Sequence, residues 1–507
     1  GPVFTVSADE NGVFRALELA DLLLADGSAE AVVIGAVDLA ASVENVRTRS
    51  ATHPLGTVPA FAFDQKADGW LVGEGAGAIV VKRADDTQNE RVYAFIDALA
   101  FAPTVQDAAQ SALTQANLTP QDIGYVEAHA SGIAHETQAE IVGLNAVYRA
   151  AQPSTRTALG SIKANIGHTF NASGIASLIK TALLMHNRFI PAVPHWTAPQ
   201  KPEVWANSPF YVPQESHTWL LHAGETRHAA VSSIDTDGLA AHVIMTGADH
   251  NTSFDVIRRQ SLKMFLVDGD NLAGLMGRLA QLETALDDAP DFSVLATRSF
   301  NVFKNRALVL ALLARDADSL RKEIAAAQRG LPAAVQNGKD WHTPAGSAFT
   351  PRPVGQSGEV AFVYPGAFNS YPGLGAHWLH LFPQAHNFLH TLSESPADTV
   401  SNYALYQRSL ATPTRVEVRA FRSILANDQV AMMKSGSAFA VLFTQVMRDV
   451  FKLKPAAAFG YSLGEGSMYW SMGVWQNADA AASRFEHSPL FRSRLFGRKE
   501  AVRAMWG

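Results

Sequence analysis

Short apolar runs alternate with amphipathic stretches through the first half of the chain. Ala31-Val32-Val33-Ile34-Gly35-Ala36, Gly77-Ala78-Ile79-Val80-Val81 and Ala241-His242-Val243-Ile244-Met245 are apolar at successive positions, a pattern that predicts strands buried on both faces. Val3-Phe4-Thr5-Val6 is strand-like too. Val13 to Leu24 and Thr104 to Ala116 space their apolar residues at helical intervals, so residues 1–247 read as an α/β layered domain.

Between residues 248 and 357 the texture changes. Met264-Phe265-Leu266-Val267 and Ala307-Leu308-Val309-Leu310-Ala311 predict strands, each followed by a charged amphipathic helix such as Asp316 to Arg329. The Pro/Gly-rich stretch from Gly330 to Gly358 predicts an extended linker. A third α/β unit, residues 358–507, opens on the strand-like Glu359 to Tyr364.

A length of 507 residues fits about three domains. With 47% hydrophobic and 17% charged residues the chain is folded rather than disordered. A net charge of −6, with Lys and Arg scattered, gives no reason to expect nucleic acid or an anionic membrane as partner. No long uninterrupted apolar run and no signal-peptide pattern is present, so a cytoplasmic location is expected. The start at Gly1 and the stop at Gly507 both read as cut. Cysteine is absent, which excludes disulfides, thiolate metal sites and any thiol nucleophile. No histidine pair has metal-ligand spacing, and Gly73-Glu74-Gly75-Ala76-Gly77 lacks the features of a phosphate loop and reads as a structural turn.

One stretch suggests nucleophilic chemistry. Apolar Pro455 to Phe459, then Gly460-Tyr461-Ser462-Leu463-Gly464-Glu465 and a helical Met468 to Trp475, read as strand, sharp turn and helix. The glycines permit a strained turn that exposes Ser462, with a helix N-terminus behind it to stabilise an oxyanion.

This stretch, with the opening Val363-Tyr364-Pro365-Gly366, resembles the malonyl/acyl-CoA:carrier-protein acyltransferases of fatty acid and polyketide synthases. The resemblance implies an α/β-hydrolase-like domain, here incomplete, with Ser462 as nucleophile and the backbone N–H groups of Leu463 and Ala367 as oxyanion hole. Tyr461 replaces the family's histidine before the serine. His487 aligns with the arginine that clamps a malonyl carboxylate, with Arg484 close by, and a histidine substitutes poorly for a bidentate guanidinium. The general base would lie beyond Gly507.

The first segment resembles the ketosynthases. Gly1 to Glu10 is similar to their nucleophile elbow, with Glu10 in the cysteine's place. Phe63-Asp64, Gly73 to Gly77, Val126-Glu127-Ala128-His129 and Gly160-Ser161-Ile162-Lys163-Ala164-Asn165-Ile166-Gly167-His168 follow in the family's order. By resemblance His129 and His168 would assist decarboxylation and polarise a thioester, and Lys163 would order the second histidine. A thiolase-like half-domain without its N-terminal part is implied. A carboxylate at Glu10 is a weak nucleophile toward a thioester, and Ile234-Asp235-Thr236-Asp237 at the gate loop would add negative charge if it faced the pocket. A non-condensing, dimerising scaffold is favoured over a residual decarboxylase.

The domain order resembles the acyltransferase-bearing subunits of polyunsaturated fatty acid synthases. It implies acyl transfer through Ser462, no bound cofactor, CoA thioesters and the phosphopantetheine of a carrier protein as substrates, and acyl carrier protein and other synthase subunits as partners. Thioester hydrolysis and a non-catalytic chain-length or assembly role are the alternatives.

Overall fold

The computed structural model describes residues 1–39, 41–87, 90–149, 157–206, 208–248, 262–288, 291–353, 358–367, 369–376, 378–495 and 498–506. They form two compact units, one of residues 1–252, 362–453 and 458–507 and the other of residues 253–361 and 454–457.

The larger unit is built on a six-stranded sheet in the order Ala94–Ala102, Ala240–Gly247, His228–Ile234, Ile123–Glu127, Thr157–Gly160, Phe210–Tyr211. The first two pairings are antiparallel and the remaining three parallel. Alternate residues of each strand enter different cores, as the two-residue period of a strand requires. Val126, Leu159, Ala230 and Ile244 pack against the helices Val105–Gln115 and Ala134–Tyr148. Tyr125, Ala158, Val231 and Val243 pack against Gly12–Ala25 and Ser173–His186 on the other face. Those two helices also carry the antiparallel pair Val32–Asp38 and Gly75–Val81 on their far side. The layer order is helix, sheet, helix, sheet, a thiolase-like architecture in agreement with the sequence reading.

Thr104 caps the helix Val105–Gln115 by accepting the Asp107 N–H, so the predicted start is observed. Two expectations are corrected. The pair Val32–Asp38 and Gly75–Val81 is covered on one face only, leaving Val33, Val37 and Val80 59–69% exposed. Residues 1–8 form no strand.

In the second unit Lys263–Gly269, Leu308–Ala314, Ala348–Phe349 and Trp341–His342 make an antiparallel sheet packed by the helices Leu272–Asp288 and Ala317–Asn337. The helix Ala317–Asn337 runs through Leu331-Pro332, where a linker was expected. Proline removes one ladder hydrogen bond, yet Leu331 on the same turn is fully buried beside Ile324 and Ala327, and burial of that apolar face outweighs the local breaker signal.

The remainder of the larger unit is helical, centred on Gln429–Asp449 with Phe439, Leu442 and Val446 buried among Leu379, Leu389 and Leu405. That helix is long and apolar enough to cross a membrane, but core helices pass the same test and two-thirds of its most apolar window is buried. These helices join the thiolase-like part through Thr412 N–H to Thr197 C=O at 2.8 Å, Ala397 N–H to Leu221 C=O at 2.9 Å and Gln214 Nε2 to Ala411 C=O at 2.7 Å. The α/β-hydrolase-like architecture expected for residues 358–507 is not what is observed: among the described residues this segment's strands, Val360–Tyr364 and Pro455–Gly460, form a two-stranded sheet only.

Candidate functional site

Four sequence-predicted residues come together in the thiolase-like part. Glu10 lies in a one-turn helix, Asp9–Asn11, that runs straight into the helix Gly12–Ala25. His129 follows the strand Ile123–Glu127, Lys163 opens the short helix Lys163–Ile166, and His168 follows it through Gly167. All four are buried.

Gly167 makes that last turn possible. Its φ is +77°, and a Cβ there would sit 2.2 Å from the Val72 carbonyl oxygen. The stretch around Gly73, rejected above as a phosphate loop, is this turn's support: His168 N–H donates to Leu71 C=O at 2.8 Å. Gly167→Ala is therefore expected to cost about 2 kcal/mol through strain and clash, read from the denaturation midpoint.

Lys163 is the cation of the cluster. Its Nζ donates to the His129 carbonyl at 2.6 Å and lies 3.5 Å from His129 Nδ1. Burial lowers its pKa, opposed by Glu140, Glu10, Glu127 and Glu136. Glu140 accepts the backbone N–H groups of His129 and Ala130 at 2.6 and 2.8 Å. Burial pushes the Glu140 carboxyl up to about 7 despite those bonds. Glu127 accepts from Tyr125 Oη, Ile162 N–H and Lys180 Nζ.

The histidine tautomers follow from their neighbours. His168 Nδ1 accepts the Phe170 N–H at 3.0 Å, which puts the ring proton on Nε2. His129 Nδ1 faces the Lys163 ammonium, which puts its proton on Nε2 as well. Burial, then the Lys163 charge, lowers His129 to about 4 and His168 well below the usual range, so both rings are neutral. Neither Nε2 has a hydrogen-bond partner among the described residues. Glu136 lies 3.4 Å from His129 Nε2, outside good hydrogen-bond geometry, and Glu10 Oε1 lies 3.9 Å from His168 Nε2. The ring centroids are 5.6 Å apart and the planes near perpendicular, so both histidines belong to one buried cluster.

Burial raises Glu10 to about 7. Its other oxygen is 3.5 Å from the Thr236 hydroxyl. The gate-loop aspartates do not add to its charge as anticipated: Asp235 accepts from Asn11 Nδ2 and from the Asp237 and Leu239 N–H groups, and Asp237 is exposed. The reading of the sequence missed Glu140, Lys180 and Thr236. Glu140 had a signal, a carboxylate on the same helix face as Ile141 and Leu144, which only an internal partner explains.

Ser462 stands on a strained turn, φ 57° and ψ −125°, between the strand Pro455–Gly460 and the helix Leu463–Ser471. The glycine-bearing segment Gly366-Ala367 lies against it, since a Cβ on Gly366 would be 3.3 Å from Tyr461 C=O. The local elbow is thus present, with Leu463 as first helical residue. Ser462 and Tyr461 are exposed, Tyr461 by 87%. His487 Nδ1 donates to Ser483 C=O at 2.8 Å, Arg484 is exposed, and no hydrogen bond among the described residues ties either to Ser462.

Residues 1–87 match the N-terminal domain family of β-ketoacyl synthases and residues 98–197 the C-terminal one. These two segments carry the ketosynthase likeness of the chain. This ketosynthase match overturns the expectation that the function is acyl transfer through Ser462, because the family is one of acyl-condensing transferases. A polyunsaturated fatty acid synthase polypeptide of Thraustochytrium sp. is 30% identical over 100% of this chain and 26% of its own length. Polyketide synthase GfsE of Streptomyces halstedii is 27% identical over 95% of this chain and 13% of its own. The chain thus spans about a quarter or less of these relatives. Among solved structures, the module 6 ketosynthase of the Bacillus subtilis 168 bacillaene synthase aligns over 66% of this chain and 60% of its own, with 23% identity and a TM-score of 0.46. The PfaC ketosynthase–chain length factor aligns over 49% and 23%, with 36% identity and a TM-score of 0.38.

Proposed function

We infer that this ketosynthase-family chain is a non-condensing, chain-length-factor-like component of a polyunsaturated fatty acid or polyketide synthase. The observation that carries the reading is Glu10: a buried carboxyl beside His168 stands where a condensing enzyme needs a thiolate, and the chain has no cysteine to replace it. A carboxylate attacking a thioester would form a mixed anhydride, a poor store for an acyl chain. The two Nε2–H donors of His129 and His168, ordered by Lys163, then serve to seat a thioester carbonyl while condensation happens on a partner. The reading keeps 1–247, 248–357 and 358–507 as domains, acyl carrier protein and a condensing ketosynthase as partners, CoA and phosphopantetheine thioesters as the molecules met, and pairing through the thiolase-like part.

The test combines the chain with an active condensing ketosynthase, malonyl-loaded carrier protein and an acyl primer. The length distribution of the products is expected to shift when the chain is added, while the chain alone forms no acyl adduct by intact-mass measurement. Condensation by the chain alone, or an adduct that Glu10→Gln abolishes, would sink the proposal.

A further inference from the structure

The strands His228–Ile234 and Ala240–Gly247 are joined by a turn of residues 235–239 that projects from the core. Ile234 and Ala240 are buried, while Thr236, Asp237 and Gly238 are exposed. The turn sets its own shape. Asp235 N–H donates to Leu239 C=O at 3.1 Å and Gly238 N–H to Asp235 C=O at 2.9 Å. Asp235 Oδ1 accepts the Asp237 and Leu239 N–H groups at 3.1 and 2.9 Å, and Gly238 takes the positive φ, 84°, that closes the turn.

The position of the turn over the buried site has a different origin. Asn11 Nδ2 donates to Asp235 Oδ2 at 3.0 Å and to Leu239 C=O at 2.8 Å, one bond to each end of the turn. Asn11 is fully buried, follows Glu10 in the one-turn helix Asp9–Asn11, and has an Oδ1 without a partner among the described residues. An amide that spends both its N–H hydrogens on a turn 224 residues away in sequence holds that turn in place without shaping it. Thr236, at the exposed tip, then stands with its hydroxyl 3.5 Å from Glu10 Oε2. Among the described residues no further hydrogen bond ties 235–239 to the rest of the chain.

We propose that the turn 235–239 is a lid over the Glu10 site and that Asn11 bolts it shut, so that a thioester arm reaches Glu10 only when the two Asn11 bonds open. The proposal rests on the reading above for the molecule that enters, and goes beyond it in naming what controls entry. Both bonds come from one amide and are lost together, which makes the opening a local two-state event.

The chain has no cysteine, so a single thiol placed at position 10 reports access without background. Glu10→Cys is treated with iodoacetamide and the adduct followed by intact-mass measurement, with Asp237→Cys at the exposed tip as the reference for an open thiol. Glu10→Cys is expected to react at least about tenfold more slowly than Asp237→Cys. Adding Asn11→Ala should speed its reaction at least about tenfold, the effect of losing a hydrogen bond to a charged group. Asp235→Asn, which keeps an oxygen for the turn's own N–H groups and sets two N–H donors against each other, should do the same. Ala112→Cys, fully buried in the helix Val105–Gln115, should stay protected in both backgrounds and so separates lid opening from loss of the fold. Equal rates at position 10 with and without Asn11→Ala would overturn the proposal, as would a parallel gain at Ala112→Cys. The labelling uses neither carrier protein nor a condensing partner, so its failure is separable from failure of the product-length test above.

Discussion

Lys163→Met is expected to lose about 3–5 kcal/mol of folding stability, the range for removing one partner from a buried charge cluster. The ammonium is enclosed by Glu10, Glu136 and Glu140, and its Nζ also satisfies the His129 carbonyl. Methionine fills the same space and leaves that carbonyl without its donor. The loss depends on pH in a defined direction. Glu10 and Glu140 both titrate at about 7, so below that pH each takes up a proton and no longer needs the cation. Urea denaturation at mildly acid and at alkaline pH should show the larger penalty at alkaline pH. Adding Glu140→Gln to Lys163→Met should return part of the loss, since the two groups share one electrostatic interaction. A loss independent of pH and unaffected by Glu140→Gln would mean that Lys163 matters only through its packing.

The same cluster shows what a sequence can and cannot disclose. Glu10, His129, Lys163 and His168 were legible because each stands in a short ordered motif with a glycine or a strand end to place it. Glu140 was only half legible: its place beside Ile141 and Leu144 marks a buried carboxylate, but its partners, the backbone N–H groups of His129 and Ala130 eleven and ten residues earlier, follow no motif. Strand edges were misjudged where composition stood in for burial: Val33 and Val80 look like core residues, and only the layer order shows that their face is uncovered. Pro332 misled in the opposite sense, since a breaker residue lost to a well-buried helix face. Ser462 is the most instructive position. Glycines at 460 and 464 encode a strained turn, and the strained turn is there. A strained turn is only one part of a nucleophile site, however. The motif carries no information about a base to take the serine proton or a wide sheet to enclose the ester.

Glu10→Gln should give the second large effect, with its sign fixed by linkage. Burial raises Glu10 from an unfolded value of 4.5 to about 7, with Asp9 and Glu136 adding repulsion and Lys163 opposing it. Between those two values the unfolded chain releases this proton and the native protein keeps it. The contribution of the protonated carboxyl to stability is thus fully present below 4.5 and is lost as pH rises through 7. The difference corresponds to about 3 kcal/mol. Glutamine has the shape of the neutral acid and does not ionise, so the variant should become more stable than the parent by about that amount above pH ~7 and show little change near pH ~4. The buried histidines run the other way. His129 and His217 fall to about 4 and His242 to about 3, so each withdraws stability as pH drops below the unfolded histidine range. They are present in both proteins and cancel in the comparison. Paired denaturation curves across this range therefore isolate one carboxyl, and a difference that stays flat with pH would mean that Glu10 ionises in the folded chain as readily as in water. If the difference instead rises as expected, the position vacated by a thiolate holds a neutral acid at moderate pH. Such a group is compatible with an acyl chain lying beside it and lacks the lone-pair reactivity that condensation demands.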